Sequence, residues 1–536
     1  MVTALRSEVS NRVLQRTLAL LAVGCVFAPL LPGLVMMAKP MLMPDIWHQL
    51  WADNQWSGAL QATLNSTVIS VTGSLTLCLV LLCGLWPGAH WQRLTSQLPL
   101  LLALPHVAFA SGFLFLFSDN GWLARLCSVS FHVDENGVGL GILLALKECW
   151  FLLWVASTQL NLQSLSQQLT VAQSLGYGPL QSRIRVLVAQ LLPRLKWALL
   201  AVVAYSLSVV DVAIILGPNN PPTLAVLAWQ WLADADADPQ RVAMGMLTSL
   251  LLVVMLGIFS TVGYAAWLFT RRALGQFSGN RHQFSVQPVA LASGFIMVLT
   301  GTAAITMLVL WSFADGWFYP ALLPDAFALT GWQAAELSPL TTTLLLALAS
   351  SLIGLLVVVL WLEGGSSRFD LWLALPLFLP ALPLVAGQYQ ILLVIDQDGS
   401  WLGVIWSHLL WVVPYMLLVA RPAWHQFDVR LTITAQTFGW SAWKILCRVK
   451  LPLLIRPLLA SLAVGFSVSV AQYLPTLYAG AGRFTSVTTE TVALSSGGDP
   501  QQQAIQALLQ MLLPAIMFIA MRQLSRLLTH YRQGLR

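Results

Sequence analysis

Residues 339–362 read PLTTTLLLALASSLIGLLVVVLWL, a run without one charged side chain. At 1.5 Å per residue a helix of that length extends about 36 Å, enough to cross roughly 30 Å of hydrocarbon. A helix apolar on every side belongs in lipid or in the centre of a large bundle. Working outward, comparable runs cover 17–38, 58–86, 97–118, 138–160, 197–217 and 242–270, then 287–312, 371–395, 402–420, 457–479 and 503–521. The 536 residues are 57% hydrophobic and only 9% charged, with a mean hydropathy of +0.75. Soluble chains carry about 25% charged residues, so a water-soluble enzyme is excluded, as is a disordered chain. The expected fold is an all-α polytopic membrane protein with about 12 transmembrane helices.

Charge orients this map. With a cytoplasmic N-terminus, inside segments hold 22 of the 27 Lys and Arg and outside segments hold 4, Lys147 lying within a span. Of the 21 acidic residues, 15 fall outside, among them Asp234, Asp236 and Asp238, which read as a solvated acidic loop. The positive-inside rule then places both termini in the cytoplasm. The first apolar run lacks a small-residue cleavage site and reads as a retained span. The six cysteines stand singly, so no zinc site or disulfide framework is indicated, and no metal site is expected. Trp51, Trp56, Trp122, Trp317, Trp332 and Trp401 fall near span ends, as an interfacial aromatic belt requires.

The chain repeats itself. Leu104-Pro105 precedes Gly112 as Leu379-Pro380 precedes Gly387, and Tyr205-Ser206-Leu207-Ser208 with Asp211 parallels Phe466-Ser467-Val468-Ser469 with Gln472. Their common order predicts two pseudo-symmetric six-helix halves, 1–275 and 276–536, joined by a basic link around 271–287.

The longest inside loops, 161–196 and 421–456, repeat as well. The first reads Thr170-Val171-Ala172-Gln173-Ser174-Leu175-Gly176-Tyr177; the second reads Ile433-Thr434-Ala435-Gln436-Thr437-Phe438-Gly439-Trp440 and runs on to Leu451-Pro452. Glycine suits a sharp turn between short helices. Its flanking apolar residues, with Arg and Lys following, suit a docking element; interfacial amphipathic helices are the alternative.

These loops resemble the EAA motif of permease subunits in binding-protein-dependent ABC importers of the type I fold. Ala435, Gly439, Leu451 and Pro452 fall at motif positions. In the first loop Ala172 and Gly176 match, while Pro193 of Leu192-Pro193 comes about one helical turn late. Thr170 and Ile433 replace the leading acid, so any ion pair it would make is missing. As a fused pair of halves, the chain is similar to permeases of the thiamine and ferric-iron branches and to an inner-membrane fused permease of enterobacteria. The resemblance implies a transport permease of the bacterial inner membrane. It further implies that Ala172, Leu175, Gly176, Tyr177, Ala435, Phe438, Gly439, Trp440, Leu451 and Pro452 couple it to two copies of an ABC ATPase.

No G-x-x-x-x-G-K-[ST] occurs, so the chain has no usual nucleotide cradle and ATP hydrolysis belongs to a separate subunit. The outside loops are too short for a ligand-binding domain, which implies a separate solute-binding protein. Membrane lipid is the other expected partner; nucleic acid is not expected, nor any cofactor in this chain. A six-plus-six secondary transporter is the rival reading, but Gly88-Ala89-His90-Trp91-Gln92-Arg93-Leu94 does not fit its signature. No HExxH or G-x-S-x-G supports a membrane-embedded enzyme, so no catalytic residue is expected.

Intramembrane charges are costly and usually face a cavity or a partner. Asp211 is a candidate pathway residue together with Gln472, Ser208 and Ser469, unless it reaches interfacial water. Lys147 and Glu148, pointing about 100° apart, are expected to contact neighbouring helices separately. The acidic outer loops favour a cationic solute.

Overall fold

The computed structural model describes residues 2–129, 132, 135–160, 162–233, 238–276 and 285–533. Asp234, Asp236 and residues 277–284 of the 271–287 link lie outside the described residues. The described chain is almost wholly helical, with one short antiparallel pairing of Ala314–Asp315 with Ala326–Phe327. Among the described residues, nine helices are long and apolar enough to cross a membrane, or eleven if each of two bent pairs is one span.

In chain order the spans are α1 (Val13–Leu42), α2 (Trp56–Leu85), α3 (His106–Cys127) and α4 (Val138–Gln159). The bent α5 joins Pro179–Arg194 to Lys196–Ser208 at 62°, and α6 is Pro239–Arg272. Then follow α7 (Gln287–Phe313), α8 (Ser338–Gly364), the shorter α9 (Ala381–Val394) and α10 (Trp401–His425). The bent α11 joins Ala442–Leu453 to Ile455–Val470 at 80°, and α12 is Pro500–Leu528.

The expected span 371–395 is where the count falls short of twelve. Pro376 and Pro380 interrupt the helix, while Pro383 is accommodated in the first turn of α9, which keeps 14 residues, about 21 Å. The expected span 97–118 is likewise cut at Leu104-Pro105. Both Leu104 and Leu379 are extended, as a residue before proline must be.

The spans interlock. The first span, α1, packs on α8 and α9, while α7 packs on α2 and α3. Glycine permits the closest approaches: a Cβ on Gly33 would overlap the Gly387 carbonyl, and one on Gly112 would overlap the Ala304 carbonyl. Gly112 and Gly387 are the two glycines that the repeat sets in register.

Each bent span ends in a break and two short helices. After α5 come Asp211–Leu216 and Leu224–Ala233; after α11 come Leu474–Gly480 and Val487–Ser495. The second short helix is capped from a distant span in both cases. Leu224 N–H donates to Thr63 Oγ1 at 2.8 Å, and Val487 N–H donates to Thr343 Oγ1 at 2.9 Å. These contacts satisfy helix-end donors that water would serve elsewhere.

Candidate functional site

The two polar loops fold into the same turn. Gly176 has φ +92° and Gly439 φ +75°, the left-handed region open to glycine. Gly176 N–H donates to Gln173 O at 3.0 Å and Tyr177 N–H to Ala172 O at 3.2 Å. Gly439 N–H donates to Gln436 O at 2.8 Å and Trp440 N–H to Ala435 O at 3.2 Å. This paired closure is a Schellman motif, and it explains why the alanine and glycine positions repeat at one spacing.

The residue before each glycine points outward: Leu175 is 73% exposed and Phe438 75%. The residue after it turns back, half-buried, under a cation. Arg185 sits 5.0 Å from the Tyr177 ring and Lys444 4.5 Å from the Trp440 ring. Only Leu175 and Phe438 therefore project as knobs; Tyr177 and Trp440 brace the turn.

Leu451 and Pro452 stand just before the 80° bend of α11. Leu192 and Pro193 stand in the same relation to the 62° bend of α5. The extra turn of sequence in the first loop is absorbed by the helix ahead of the bend. Each loop is tied to the end of a span. Arg183 donates to the Cys83 carbonyl at the end of α2, while Lys450 meets Glu363 at the end of α8 at 2.7 Å.

A second polar cluster lies inside the bundle. Glu148, halfway along α4, meets His106 Nε2 at 2.9 Å, and the His106 ring lies 4.8 Å from that of Tyr205. Lys147 turns away and donates to the Leu101 carbonyl at 3.0 Å. The two adjacent charges thus diverge, as neighbouring helical positions should. Asp211 opens the short helix after the α5 break, half-buried, within electrostatic range of His106, Tyr205 and Tyr473.

The other sequence-selected positions are taken up by hydrogen bonds. Ser208 is 3% exposed and its hydroxyl accepts from Ala381 N–H at 3.0 Å, joining α5 to α9. Ser469 is also 3% exposed and lies 2.7 Å from His408 Nδ1. Thr476 donates to Gln472 O and so receives His408 Nε2–H at 3.0 Å; Ser469 then donates to Nδ1. His408 thereby staples the α11 break. Gln472, in that break, is buried.

Sequence reasoning missed His106, His408, Tyr415 and Tyr473. The available signal for His106 was its place directly after the Pro105 break, inside a run otherwise apolar.

The sequence as a whole has recognisable relatives. Residues 361–531 match the family described as the binding-protein-dependent transport system inner membrane component. The inner membrane ABC transporter permease protein YnjC of Escherichia coli strain K12 is 45% identical over 515 residues, covering 96% of this chain and 97% of that protein. The chain belongs to the ABC transporter permease family. The thiamine transport system permease protein ThiP of the same organism is 26% identical over 521 residues, covering 90% of this permease and 91% of ThiP. The molybdenum transport system permease protein ModB of Haemophilus influenzae is 29% identical over 161 residues, covering 26% of this permease and 69% of ModB. The match to YnjC is nearly full-length in both proteins.

Proposed function

We propose that this permease forms the solute pathway of an ATP-driven importer in the bacterial inner membrane, with both termini cytoplasmic. Residues 1–275 and 276–536 act as its two halves. Each half docks one copy of a separate ATPase through its turn, and a solute-binding protein delivers from the opposite face. The observation that carries this reading is the repeated turn, with Leu175 and Phe438 equally exposed at the same position. An exposed aromatic or aliphatic knob beside a basic rim is a docking anchor. Two equal anchors suit two equal partners.

Ala172 and Ala435 contribute the carbonyls that close the turns, and Leu451 and Pro452 stand where a loop displacement would reach the α11 bend. Asp211 and Gln472, at matching breaks, face the route of the solute, while Ser208 and Ser469 hold those breaks in shape. Membrane lipid surrounds the bundle, and the chain itself needs no cofactor. ThiP is named for thiamine transport and ModB for molybdenum transport; a cationic solute, nearer the first, agrees with the carboxylates inside the bundle.

The test is cysteine cross-linking with a co-expressed ATPase subunit after replacing the native cysteines. Leu175→Cys and Phe438→Cys should each cross-link to it, with nucleotide altering the yield. Purified permease alone should hydrolyse no ATP. Replacing Gly176 and Gly439 together by Val should stop ATP-driven uptake while the protein still inserts. Undiminished uptake in that double variant would sink the docking assignment.

A further inference from the structure

We propose that His106, Glu148, Tyr205 and Asp211, faced by Tyr415 and Tyr473 of the second half, form a mid-membrane binding site for a monovalent organic cation. The proposal rests on the permease reading and names the solute class that its pathway selects.

Position comes first. Glu148 lies at the middle of α4, and its partner His106 begins α3 directly after the Pro105 break. Asp211 follows the α5 break, and Tyr473 lies in the corresponding break after α11. Irregular backbone at membrane depth is tolerated where it is enclosed by protein or lines a water-filled cavity. The cluster is open as well as deep. The His106 side chain keeps 33% exposure, and Tyr415, within electrostatic range of Glu148, keeps 40%.

Charge sets the valence. Lys147, Glu148 and Asp211 together carry a formal net charge of −1. Among the described residues no basic side chain pairs with Asp211, whose carboxylate accepts from its own helix start at Val212. An uncompensated carboxylate inside a bundle calls for a cation.

Shape and chemistry set the class. Tyrosine rings present a negative face to a cation, and the attraction grows when water is excluded. The described residues place no three His, Cys, Asp or Glu side chains where they could hold one metal ion. A phenol-lined site with one carboxylate outside any ion pair therefore suits an organic cation with an apolar body. A cavity of about 590 Å³ is lined by Asp119, Asn120, Asn219, Gln230 and Ser496 and reaches Gly217. Gly217 ends the helix that Asp211 begins, about 9 Å away.

The experiment is titration of the purified full chain in lipid nanodiscs, followed by tyrosine and tryptophan fluorescence. The probes are choline, N-methylpyridinium and tetraethylammonium, with sulfate and magnesium as contrasts. At least one organic cation should bind saturably. Asp211→Asn and Glu148→Gln should each weaken it at least tenfold, and Asp211→Glu should restore it. Where Asp211→Asn is not monodisperse, Tyr415→Ala serves, with the same expected loss. Saturable binding of sulfate or magnesium, no binding of any organic cation, or binding unchanged in Asp211→Asn or Tyr415→Ala would overturn the proposal. Cross-linking at Leu175 and Phe438 is read separately on the same variants, so the site and the docking reading can each fail alone.

Discussion

The two halves proposed for this permease agree at the loops and differ in the middle of the bundle. At the loops the same Schellman closure, exposed knob and cation-backed ring occur twice. At mid-membrane, the first half holds His106, Glu148 and Asp211, where the repeat sets Ala381 opposite His106 and Gln472 opposite Asp211. The second half has a buried histidine of its own, yet His408 spends both ring nitrogens on Ser469 and Thr476. One histidine keeps a third of its side chain exposed beside a carboxylate, and the other is tied down at both ring nitrogens. Such a division is expected if the loops meet a two-fold partner and the interior meets a solute without that symmetry.

The largest expected effects test the interlocking that both halves share. Gly33→Leu and Gly112→Leu drive a side chain into the backbone carbonyls of Gly387 and Ala304. Each should cost about 3 kcal/mol or more and reduce the yield of monodisperse protein in detergent. Equal losses support reciprocal crossings. A well-folded variant at either site would break the correspondence there.

Much of this was legible in the sequence, and for unequal reasons. The long spans stand out because lipid leaves the backbone no alternative to a helix. The turns stand out because a left-handed residue favours glycine, and its closure fixes the distance from the alanine. The 371–395 run misled because hydropathy counts Pro376 and Pro380 as tolerable while a continuous helix does not. The break before Asp211 has no such sign: Val209 and Val210 are ordinary helix residues in an apolar run, and tertiary packing imposes the break. Asp211 declared itself by its charge, but His106 is uncharged by formal count and its partner Glu148 is 42 residues away.

The loop attachments supply an intermediate effect that separates the halves. Lys450 and Glu363 form an ion pair with side chains only 17% and 9% exposed. Glu363→Gln leaves the ammonium without its counter-charge and should cost about 3 kcal/mol, seen as a lower unfolding midpoint. The first-half tie, Arg183 to the Cys83 carbonyl, has no carboxylate to remove, so Cys83→Ser should leave it intact. If the second tie carries motion from loop to α8, Glu363→Gln also lowers uptake relative to ATP hydrolysis. A Cys83→Ser variant as impaired as Glu363→Gln would show that the difference in chemistry is immaterial.

A smaller effect is expected from adding one methyl group to each turn. Gly176→Ala and Gly439→Ala place a Cβ in the left-handed region at about 1–2 kcal/mol. No atom lies within 4 Å of the Cβ position at Gly439, so its cost is conformational and not steric. ATP-driven uptake should fall to a similar extent in both variants, by several-fold. A fall in only one of them would mean that the two turns, alike in shape, are unlike in use.

The smallest effect is the most exacting measure of likeness. Thr63 and Thr343 each donate a hydroxyl to the carbonyl four residues back, Ala59 O at 2.8 Å and Pro339 O at 2.7 Å. Each then accepts one backbone N–H from a short helix more than a hundred residues away. Valine keeps the branched shape and removes the acceptor, so Thr63→Val and Thr343→Val isolate one hydrogen bond apiece. Each should lower stability by about 1 kcal/mol, more if the orphaned N–H finds no water. The two values should agree within about 0.5 kcal/mol, because the donor, acceptor and secondary bond are the same at both sites. Denaturation by graded SDS in mixed micelles would measure them, with the double variant checking additivity. Unequal costs would place the asymmetry seen at mid-membrane in the caps as well, and confine the likeness of the halves to their loops and crossings.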